Sequence, residues 1–450
     1  NWRRVYRVAE LPLQLVRARE RWYELIDVPE QIALINAVAE GVRFPCVPAG
    51  RRSGKTERFK RFLAKQAMKN PGERYFAAAP TRDQAKKIFW QDLKMLTFAT
   101  VPGLGHKISE TELIITLPNT TEIHVLGLDK PERIEGVVWT GGGIDEIADV
   151  KKEALHVNVM PALDTVDPRR PDYRAWCWFL GVPDGLNHYY TLCEYARTSG
   201  DPTYGLYHWK SSAVLPPDIL ESRKRSMSKK QFRQEFEASF ETATGRIYEE
   251  FGDHNLTDRE LQSHEAIHWA HDQNFTPLSS SISVVEGHSM FIVGEIVLES
   301  AVSSQSAEEF VERYRDHRNK MVYIYGDPAG RAGEKHGHKS DYNQIEDVLR
   351  REGWRFERRV SLAHPAIKDR QNAVRAKILN AADETSLFVN KDAAPWCYEG
   401  LNTVQLQKGS TFMEDQKNQY QHITTAIGYQ VAKIWPVERG TMAAAPPRRA

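Results

Sequence analysis

The first half of the chain alternates short apolar stretches, typical of buried strands, with longer stretches of helical period. The strand-like stretches are FPCVPA (44–49), RYFAAAP (74–80) and AWCWFLGVP (175–183). The helical stretches after the first two are GKTERFKRFLAKQAMKN (54–70) and TRDQAKKIFWQDLKML (81–96). A hairpin is predicted by ELIITLPNTTEIHVLGL (112–128). Because strands that alternate with helices form sheets with crossovers, we predict an α/β fold with a mostly parallel sheet.

The pattern changes at a polar stretch, KKQFRQEFEASFETATGRIYEEFGDHNL (229–256), which has no single strong period. Beyond it, three antiparallel strands are predicted over 266–275, 279–287 and 290–300. A helix over 307–319 and a strand over 321–328 follow. We therefore predict a first domain over 1–235, a linker over 236–258, a second α/β domain over 259–438 and a basic, flexible tail over 439–450.

Composition narrows the class of protein. The 450 residues suffice for two or three domains, and 41% apolar with 27% charged residues is ordinary for a soluble globular chain. No window approaches roughly eighteen uninterrupted apolar residues, so no membrane span is predicted. The four cysteines are scattered without a C-x-x-C pair, which favours a reduced intracellular setting over disulfides or a zinc site. The first residues, NWRRVYRVAELPLQLV, lack Met and a signal-type core and are interpreted as a trimmed or processed end.

The formal net charge is only +1, but basic residues are clustered locally. The clusters are RRSGKTERFKR (51–61), ESRKRSMSKKQFR (221–233) and RREGWRFERRV (350–360). A nucleic-acid partner would contact such patches, although solvated surface faces give the same pattern.

The stretch PAGRRSGKT (48–56) resembles a phosphate-binding loop, G-x-x-x-x-G-K-[ST], with Ala49 at the position of the first glycine. The loop follows a predicted strand and begins a predicted helix, so its backbone N–H groups would face phosphates. Lys55 would reach the β- and γ-phosphates of ATP, the Thr56 hydroxyl would bind Mg²⁺, and Gly50 could supply an unusual backbone dihedral. A simple strand-to-helix turn is the alternative. The loop residues predicted to bind ATP are Gly50, Arg51, Arg52, Ser53, Gly54, Lys55 and Thr56.

The stretch TGGGIDEIAD (140–149) supplies the acids that such a loop needs. Asp145 would hold Mg²⁺, partly through water, and Glu146 would polarise the attacking water. The glycines at 141–143 replace the usual apolar run before these acids and weaken the strand pattern. A turn that carries an acidic pair is the alternative interpretation.

Two further residues complete the predicted ATPase site. Gln31, about twenty residues before the loop, could read adenine with its amide, although such a glutamine is as often a surface residue. Arg133, in KPERIEGVVW, is the first candidate for an arginine finger that meets the γ-phosphate. Arg51 and Arg52 are rival candidates for that role.

The second half places acids at the ends of predicted strands. Asp272 ends the strand in HWAHDQNFTP, and Asp327 ends the strand in MVYIYGDPAGR. Either acid alone is more often a turn residue, but two carboxylates at strand ends suit a shared Mg²⁺ or Mn²⁺ site for phosphodiester hydrolysis. We predict a ribonuclease H-like nuclease domain.

The order of the motifs is more specific than any of them. It runs from an arginine-bearing phosphate loop and Asp-Glu through FRQEFEASFETATGRIYEEF, HDQNFTP and GDPAGR to HITTAIGY near the end. Over nearly the whole chain this order resembles the large terminase subunit of tailed bacteriophages. The resemblance implies an N-terminal P-loop ATPase that drives double-stranded DNA into a procapsid and a C-terminal ribonuclease H-like nuclease that cuts concatemeric genome DNA. The family's metal ligands carry over to Asp272 and Asp327.

The same resemblance implies cofactors, partners and a location. ATP would be the substrate of the first domain with Mg²⁺, and Mg²⁺ or Mn²⁺ would serve the nuclease. The implied partners are double-stranded DNA, the portal protein of the procapsid, the small terminase subunit and further copies of the chain in a ring, a pentamer, on the portal. The implied location is the host cell cytoplasm, with no membrane.

One departure from the family pattern concerns the third metal carboxylate. The family commonly ends in His-x-x-Asp-Ala-x-x-Tyr, and here Thr425 stands where that Asp is expected, three residues after His422. A hydroxyl is a poor Mg²⁺ ligand beside a carboxylate, so either another acid substitutes or cleavage is weak. The nearby candidates are Asp341, which could instead cap a helix, and Asp415. His422 could activate water or touch the phosphate, or pack within a helix.

Other functions explain less of the sequence. A helicase-like DNA-remodelling ATPase with an inactive or weak nuclease domain shares the first half but does not need paired acids on a second sheet. A stand-alone restriction-type nuclease leaves GRRSGKT without a role, and a capsid scaffold explains neither half.

Overall fold

The structure is a computed structural model that describes residues 13–241, 245–273, 277–331, 339–407, 410 and 412–436. The chain forms two compact units, one of Asn1–Pro217 with Arg233–Thr242 and one of Asp218–Phe232 with Ala243–Ala450. The predicted tail, 439–450, lies outside the described residues. No helix among the described residues is long and apolar enough to cross a membrane.

The first unit contains an eight-stranded sheet in the order β3-β4-β5-β2-β6-β7-β1-β8. Its strands are β1 (Phe44–Pro48), β2 (Arg74–Ala79), β3 (Lys107–Ser109), β4 (Ile114–Thr116), β5 (Glu122–Gly127), β6 (Gly141–Ile144), β7 (Trp176–Gly181) and β8 (Tyr204–Leu206). The strands from β5 to β8 in this order are parallel, and β3, β4 and β5 are paired antiparallel. The predicted α/β class and the predicted hairpin at 112–128 are confirmed.

The helices of this unit are α1 (Leu13–Glu20), α2 (Pro29–Ala39), α3 (Lys55–Lys69), α4 (Arg82–Ala85), α5 (Gln91–Leu96), α6 (Met160–Leu163) and α7 (His188–Thr198). Two more helices, α8 (Pro217–Ser226) and α9 (Lys229–Phe236), follow in the segments where the chain passes between the units. The helix predicted over 81–96 begins after Thr81, whose side chain accepts a hydrogen bond from the Gln84 backbone in a capping box. It is interrupted by a π-helical turn at Lys86–Trp90.

Strand β6 forms even though three of its four residues are glycines. A Cβ atom at Gly141, Gly142 or Gly143 would collide with the ring of Trp176, Phe76 or Phe59, respectively. The rings of neighbouring elements therefore occupy the space that side chains on β6 would need. This exchange explains why the strand lacks an apolar pattern and is nevertheless fully buried.

The second unit contains a six-stranded sheet in the order β13-β12-β9-β10-β11-β14. Its strands are β9 (Ile267–Asp272), β10 (Leu278–Glu286), β11 (Ser289–Leu298), β12 (Met321–Gly326), β13 (Arg355–Arg358) and β14 (Leu387–Val389). Strands β9, β10 and β11 form the predicted antiparallel meander, and β12 and β13 continue the sheet in parallel beside β9. This is the predicted ribonuclease H-like arrangement.

The helices of the second unit are α10 (Ser303–Arg313), α11 (Asp341–Arg351), α12 (Ile367–Ile378), α13 (Pro395–Thr403) and α14 (Gln421–Ile434). The prediction of a helix over 307–319 was wrong at both ends. Ser303 and Ser306 are buried rather than in a turn, and the Gln305 side chain accepts from the Val302 backbone to close the first helical turn. Helix α14 packs against β9, β10 and β12.

The predicted linker, 236–258, is divided between the two units. Ile247, Tyr248 and Phe251 are buried in an apolar cluster of the second unit, together with residues of α12, α13 and α14. The polar pattern of this segment conceals these three residues because Glu249 and Glu250 separate Phe251 from the adjacent pair Ile247 and Tyr248.

Candidate functional sites

The phosphate loop lies between β1 and α3, and its shape depends on close backbone packing. The left-handed backbone expected at Gly50 is found instead at Arg52 (φ 59°) and Gly54 (φ 85°). Gly50 is needed for a different reason, since a Cβ atom there would lie 2.6 Å from the Phe236 carbonyl oxygen and collide with Ser211. The glycine therefore serves close approach rather than an unusual φ.

Buried side chains hold the loop from outside. The indole Nε1 of Trp209 and the amide Nε2 of Gln31 each donate to the Ser53 carbonyl at 3.0 Å. The Ser211 hydroxyl donates to the Arg51 carbonyl at 2.7 Å. These bonds fix the loop before any nucleotide binds, which limits the reorganisation that binding requires.

Gln31 thus supports the loop. Its other amide atom, Oε1, accepts from Arg58 Nε at 2.8 Å, and the side chain is buried. Both ends of the amide are engaged, so contact with adenine would require one of these bonds to be exchanged. The prediction that Gln31 reads adenine stays a prediction.

The residues predicted for phosphate and Mg²⁺ come together at the carboxyl edge of the sheet. Lys55 is 6% exposed, and its Nζ lies 3.4 Å from the Ala49 carbonyl and 3.5 Å from the Gly50 carbonyl. The Thr56 hydroxyl donates to Asp145 Oδ2 at 2.6 Å, although β7 separates β1 from β6 in the sheet. A hydroxyl and a carboxylate in contact beside a buried ammonium fit a small divalent cation and a phosphate.

Glu146 has the features of a general base. It takes a left-handed backbone (φ 54°, ψ 43°), and its backbone N–H donates to Asp145 Oδ1 at 3.0 Å. Burial raises the pKa of Glu146, and the neighbouring Asp145 charge raises it further, while Lys55 and Arg51 oppose the shift. A carboxylate with a raised pKa is a stronger proton acceptor than an exposed one.

The three candidate arginines lie in different surroundings. Arg51 forms an ion pair with Glu235, and Arg52 occupies the left-handed turn of the loop. Arg133 is exposed in a 3₁₀ turn, Pro131–Ile134, that follows β5. Since β5 is four positions from β1 in the sheet, the two strands are roughly 19 Å apart at the usual strand spacing of about 4.8 Å.

The second site lies at the ends of β9 and β12. These strands are parallel neighbours whose last pair is His271 with Gly326, so the next residues, Asp272 and Asp327, follow side by side. Asp272 Oδ2 lies 2.8 Å from His422 Nδ1 on α14, and Asp327 Oδ1 lies 3.4 Å from His364 Nδ1. The two acids that the sequence singled out are therefore brought together.

A divalent cation fits this pair of carboxylates, because carboxylate oxygens are the ligands that such cations prefer. Among the described residues, however, no group of three or more acidic, histidine or cysteine side chains is arranged to hold a metal ion. Asp272 and Asp327 are contributed by the ends of β9 and β12, and the acids considered as a third ligand lie on or before helices.

Asp341 is the first residue of α11. The helix cap is the preceding residue, Ser340, whose hydroxyl accepts from the Asn343 backbone at 3.2 Å, so the cap role considered for Asp341 belongs to Ser340. Asp341 Oδ1 instead accepts from Ser303 at 2.9 Å, and the same hydroxyl lies 2.9 Å from Gln273 Oε1. The prediction that Asp341 binds metal stays a prediction.

The acid beside Thr425 is Glu414, which the sequence reasoning missed in favour of Asp415. The Thr425 hydroxyl donates to Glu414 Oε2 at 3.2 Å, and Glu414 is 7% exposed. Asp415 instead accepts from the Lys417 backbone at 3.1 Å in a surface turn. No sequence signal distinguishes the two neighbouring acids in FMED.

Glu414 is paired with a buried arginine. Arg370 Nη2 on α12 donates to Glu414 Oε1 at 3.1 Å and to Thr425 Oγ1 at 3.3 Å, and Gln371 Nε2 donates to Glu414 Oε1 at 3.0 Å. A cavity of about 180 Å³ is lined by Asp272, Ile367, Arg370, Met413, Glu414, Gln416, Gln421, His422 and Thr425.

Fold and sites together define a class. The first unit has the sheet and the loop, Thr, Asp and Glu set of a P-loop ATPase, and the second has a ribonuclease H-like sheet with paired aspartates at its centre. These features fit a P-loop ATPase unit followed by a ribonuclease H-like unit.

Comparison with known proteins narrows this class. Residues 46–160 match the family model described as Terminase large subunit, T4likevirus-type, N-terminal. The large terminase subunit of Thermus virus P23-45 is 23% identical over 270 residues, which are 52% of this chain and 54% of that protein. That of Escherichia phage T5 is 29% identical over 107 residues, which are 23% of each chain. The chain thus spans about half the length, or less, of these curated relatives.

A solved structure supports the fold over a larger part of the chain. The large terminase of a thermophilic bacteriophage aligns with a TM-score of 0.59 at 16% identity, over 90% of this chain and 98% of that one. The same phage's terminase in complex with ADP aligns with a TM-score of 0.57, also at 16% identity, over 91% and 99%. The resemblance found in the sequence is supported over residues 46–160 by the family model and over most of the chain by the fold, and the chain is similar to large terminase subunits of tailed phages.

Proposed function

We propose that this chain is the catalytic subunit of a viral DNA-packaging motor. ATP hydrolysis in the first unit drives double-stranded DNA into a procapsid, and a metal-dependent endonuclease in the second unit cuts the concatemeric genome. The observation that carries the proposal is the contact of Thr56 with Asp145 beside Lys55, in a chain that also pairs Asp272 with Asp327.

In the ATPase, each residue has a distinct task. Lys55 and the loop N–H groups bind the phosphates, and Thr56 with Asp145 would hold Mg²⁺, which neutralises charge on the transferred phosphoryl group. Glu146 accepts a hydrogen bond from the attacking water and takes its proton, a task favoured by its raised pKa. The solved complex of the thermophilic phage terminase with ADP supports a nucleotide role for this fold.

Arg133 is proposed to act across a subunit boundary. Arg133 follows β5, which is four positions from the loop's strand β1 in the sheet, and it is exposed at the surface. A ring of copies on the portal protein would bring it to a neighbour's γ-phosphate. The small terminase subunit is the further proposed partner, and the host cytoplasm the proposed location.

In the nuclease, Asp272 and Asp327 would hold Mg²⁺ or Mn²⁺, and Asp341 remains a candidate from α11. The metal would activate water and stabilise charge on the phosphate when bound. His422 and His364 orient the two carboxylates, since each places a ring nitrogen against one aspartate oxygen. Burial raises the pKa of Tyr429, so its hydroxyl stays protonated near both acids.

One experiment tests the proposal as a whole. The purified chain is incubated with supercoiled plasmid and either Mg²⁺ or Mn²⁺, with and without ATP, while phosphate release and DNA cleavage are followed. We expect DNA-stimulated ATP hydrolysis together with metal-dependent cutting. Hydrolysis without any cutting supports the alternative of a DNA-remodelling ATPase with an inactive nuclease, and cutting without hydrolysis contradicts the motor.

The alternative of a DNA-remodelling ATPase is supported by Thr425, which stands where a carboxylate is expected. An assay of DNA encapsidation distinguishes a packaging motor from a remodelling ATPase. With procapsids, portal and small subunit added, a packaging motor protects DNA from added nuclease, whereas a remodelling ATPase does not.

A further inference from the structure

Arg370 occupies an unusual position for an arginine. It is 6% exposed on α12, and it lines the same cavity as Asp272 and His422. Helix α14 is shaped to accept its stem, because a Cβ atom at Gly428 would lie 2.6 Å from Arg370 Cγ. The guanidinium carbon lies 5.0 Å from the centre of the Tyr429 ring. The surrounding helix therefore positions this side chain closely.

The hydrogen bonds of Arg370 leave donors for a ligand. A guanidinium has five N–H donors, and the bonds to Glu414 and Thr425 use only Nη2. Among the described residues, the side-chain hydrogen bonds of Arg370 are these two, and both come from Nη2. A buried arginine with remaining donors in a cavity is suited to a planar or tetrahedral oxyanion such as a phosphodiester.

Charge explains why the arginine matters for metal binding. Asp272, Asp327 and Glu414 carry three negative charges and Arg370 carries one positive charge, so the four together carry −2. This charge balances one divalent cation. A second cation near Glu414 would meet a carboxylate already neutralised by the guanidinium and would be repelled by it.

We propose that Arg370 is a catalytic residue of the nuclease and takes the place of a second metal ion. Its guanidinium donates to a non-bridging oxygen of the scissile phosphate, while Glu414 and Thr425 hold it in place. A single divalent cation binds at Asp272 and Asp327. The inference rests on the proposed nuclease function and deepens it.

The chemical step is phosphodiester hydrolysis. The oxygen of water forms a bond to phosphorus, and the bond from phosphorus to the leaving deoxyribose oxygen breaks. One proton of the water passes to solvent, and the leaving oxygen takes up a proton. Arg370 remains protonated throughout and stabilises the charge that develops on the non-bridging oxygens.

The first test counts metal ions. Binding of Mn²⁺ to the full chain without nucleotide is measured from the electron paramagnetic resonance signal of free Mn²⁺. The number of ions at the nuclease site is the difference in bound Mn²⁺ between wild type and Asp272→Asn. This substitution leaves any metal site in the first unit unchanged. We expect a loss of one Mn²⁺ per chain, and a loss of two overturns the inference.

The second test measures phosphate contact without cleavage. Affinity for a fixed DNA duplex is measured in Ca²⁺ over a range of salt concentrations. Arg370→Gln should reduce the slope of log affinity against log salt by about 0.9, the value for one phosphate contact. Arg375→Gln is the matched control, because Arg375 lies on the same helix but its Nε donates to the Ile247 carbonyl at 2.7 Å. Equal slopes for Arg370→Gln and wild type overturn the inference.

The third test follows cleavage in Mn²⁺. Arg370→Gln should reduce the rate by about 10²-fold or more, as the loss of a transition-state donor does. Arg370→Lys keeps the charge but not the fork, so it should cut faster than Arg370→Gln and more slowly than wild type. Thermal melting shows whether Arg370→Gln is folded. If it is not, the cleavage rate of Arg370→Lys is used instead, and a rate equal to that of wild type overturns the inference.

Failure of the inference and failure of the proposed function look different. A wild-type chain that cuts no DNA with Mg²⁺ or Mn²⁺ overturns the nuclease function and, with it, the catalytic role of Arg370. A chain that cuts DNA but loses two Mn²⁺ ions on Asp272→Asn overturns only the inference.

Discussion

The two candidate sites differ in how the chain assembles them. The ATPase residues come from two short contiguous segments, the loop at 50–56 and the acids Asp145 and Glu146. The nuclease residues come from the ends of β9 and β12, from α12 and α14 and from the turn before α14. A contiguous loop constrains its own backbone, whereas a site assembled from distant segments can exchange one contributor for another. The replacement of an expected carboxylate by Thr425, Glu414 and Arg370 is such an exchange.

The sites also differ in their electrostatics. In the first, burial and Asp145 raise the pKa of Glu146, while Lys55 and Arg51 oppose this shift. In the second, the cation Arg370 is paired directly with Glu414. Lys55 in the first site has carbonyl oxygens as its hydrogen-bond partners, whereas Arg370 in the second site is held by a carboxylate.

The sharpest test of the comparison removes one site at a time. Lys55→Ala should reduce ATP hydrolysis by at least about 10³-fold, because it deletes the buried ammonium of the loop. Mn²⁺-dependent nicking should remain at the wild-type rate. Asp272→Asn is the mirror variant, with cutting lost and hydrolysis kept. Loss of both activities in a folded Lys55→Ala chain contradicts two separate sites.

Arg133 tests whether the ATPase site is complete within one chain. Arg133→Ala should lower assembly-stimulated hydrolysis by about 10³-fold, as the loss of an arginine finger does. Mixing Arg133→Ala with Lys55→Ala subunits should restore part of the activity, because some interfaces then combine an intact loop with an intact arginine. Arg51→Ala is the control for the rival role within the loop. If Arg133→Ala without any partner variant is fully active, Arg133 is not the arginine finger.

Glu146 tests the contrast in electrostatics. Glu146→Gln should bind ATP as wild type does but hydrolyse it about 10²-fold or more slowly, since an amide cannot accept the proton of water. The base must be deprotonated to act and its pKa is raised, so wild-type activity should fall as pH decreases through a value above 4.5. The slow activity of Glu146→Gln should lack this acidic limb. If Glu146→Gln still loses activity at low pH, a group other than Glu146 causes that loss.

Glu414 and Asp415 are neighbours that the structure separates clearly. Glu414→Gln leaves Arg370 without its partner charge and should reduce cleavage by about tenfold, whereas Asp415→Asn in the adjacent turn should leave it unchanged. Thr425→Asp should raise Mg²⁺-dependent cutting only when combined with Arg370→Gln, because the guanidinium otherwise pairs with the new carboxylate. A plasmid-nicking assay measures each rate. Loss of cutting in Asp415→Asn would instead support Asp415, the acid proposed from the sequence as a metal ligand.

Gly428 gives the smallest expected effect. Gly428→Ala forces the Arg370 stem away from α14 and should lower the free energy of unfolding of the second unit by about 1–3 kcal/mol, as overpacking does. Differential scanning calorimetry measures the change. In the Arg370→Ala background, which lacks the Cγ and Cδ atoms that the new Cβ would meet, the same substitution should cost less. Equal costs in both backgrounds would show that the glycine does not serve the arginine.

Most of the fold could be predicted from sequence because its strands have clear apolar patterns. The meander of β9, β10 and β11 and the hairpin of β4 and β5 follow from strand-like stretches separated by short turns. The start of α10 could not be predicted, since its serines are typical of a turn and become buried only through tertiary packing. The π-helical turns have no sequence pattern either.

For the sites, the limit is set by whether the contacting residues belong to recognisable motifs, not by their distance along the chain. The contact of Thr56 with Asp145 joins two recognisable motifs, and the sequence predicts it. The contact of Arg370 with Glu414 joins residues 44 positions apart, and neither lies in a motif. Arg370 is typical of an exposed helical arginine until the opposite helix offers a glycine for its stem.

The three glycines of strand β6 affect how the phosphate loop and the acids can move. Phe59 belongs to α3, the helix that begins with Lys55 and Thr56, and its ring fills the space above Gly143. The helix that receives the phosphates therefore rests on the backbone of the strand that carries Asp145 and Glu146. Because a close-packed interior transmits displacement rather than absorbing it, a shift of α3 toward the sheet must push this strand. The loop and the acids are therefore expected to move together, because the Phe59 ring packs between α3 and β6.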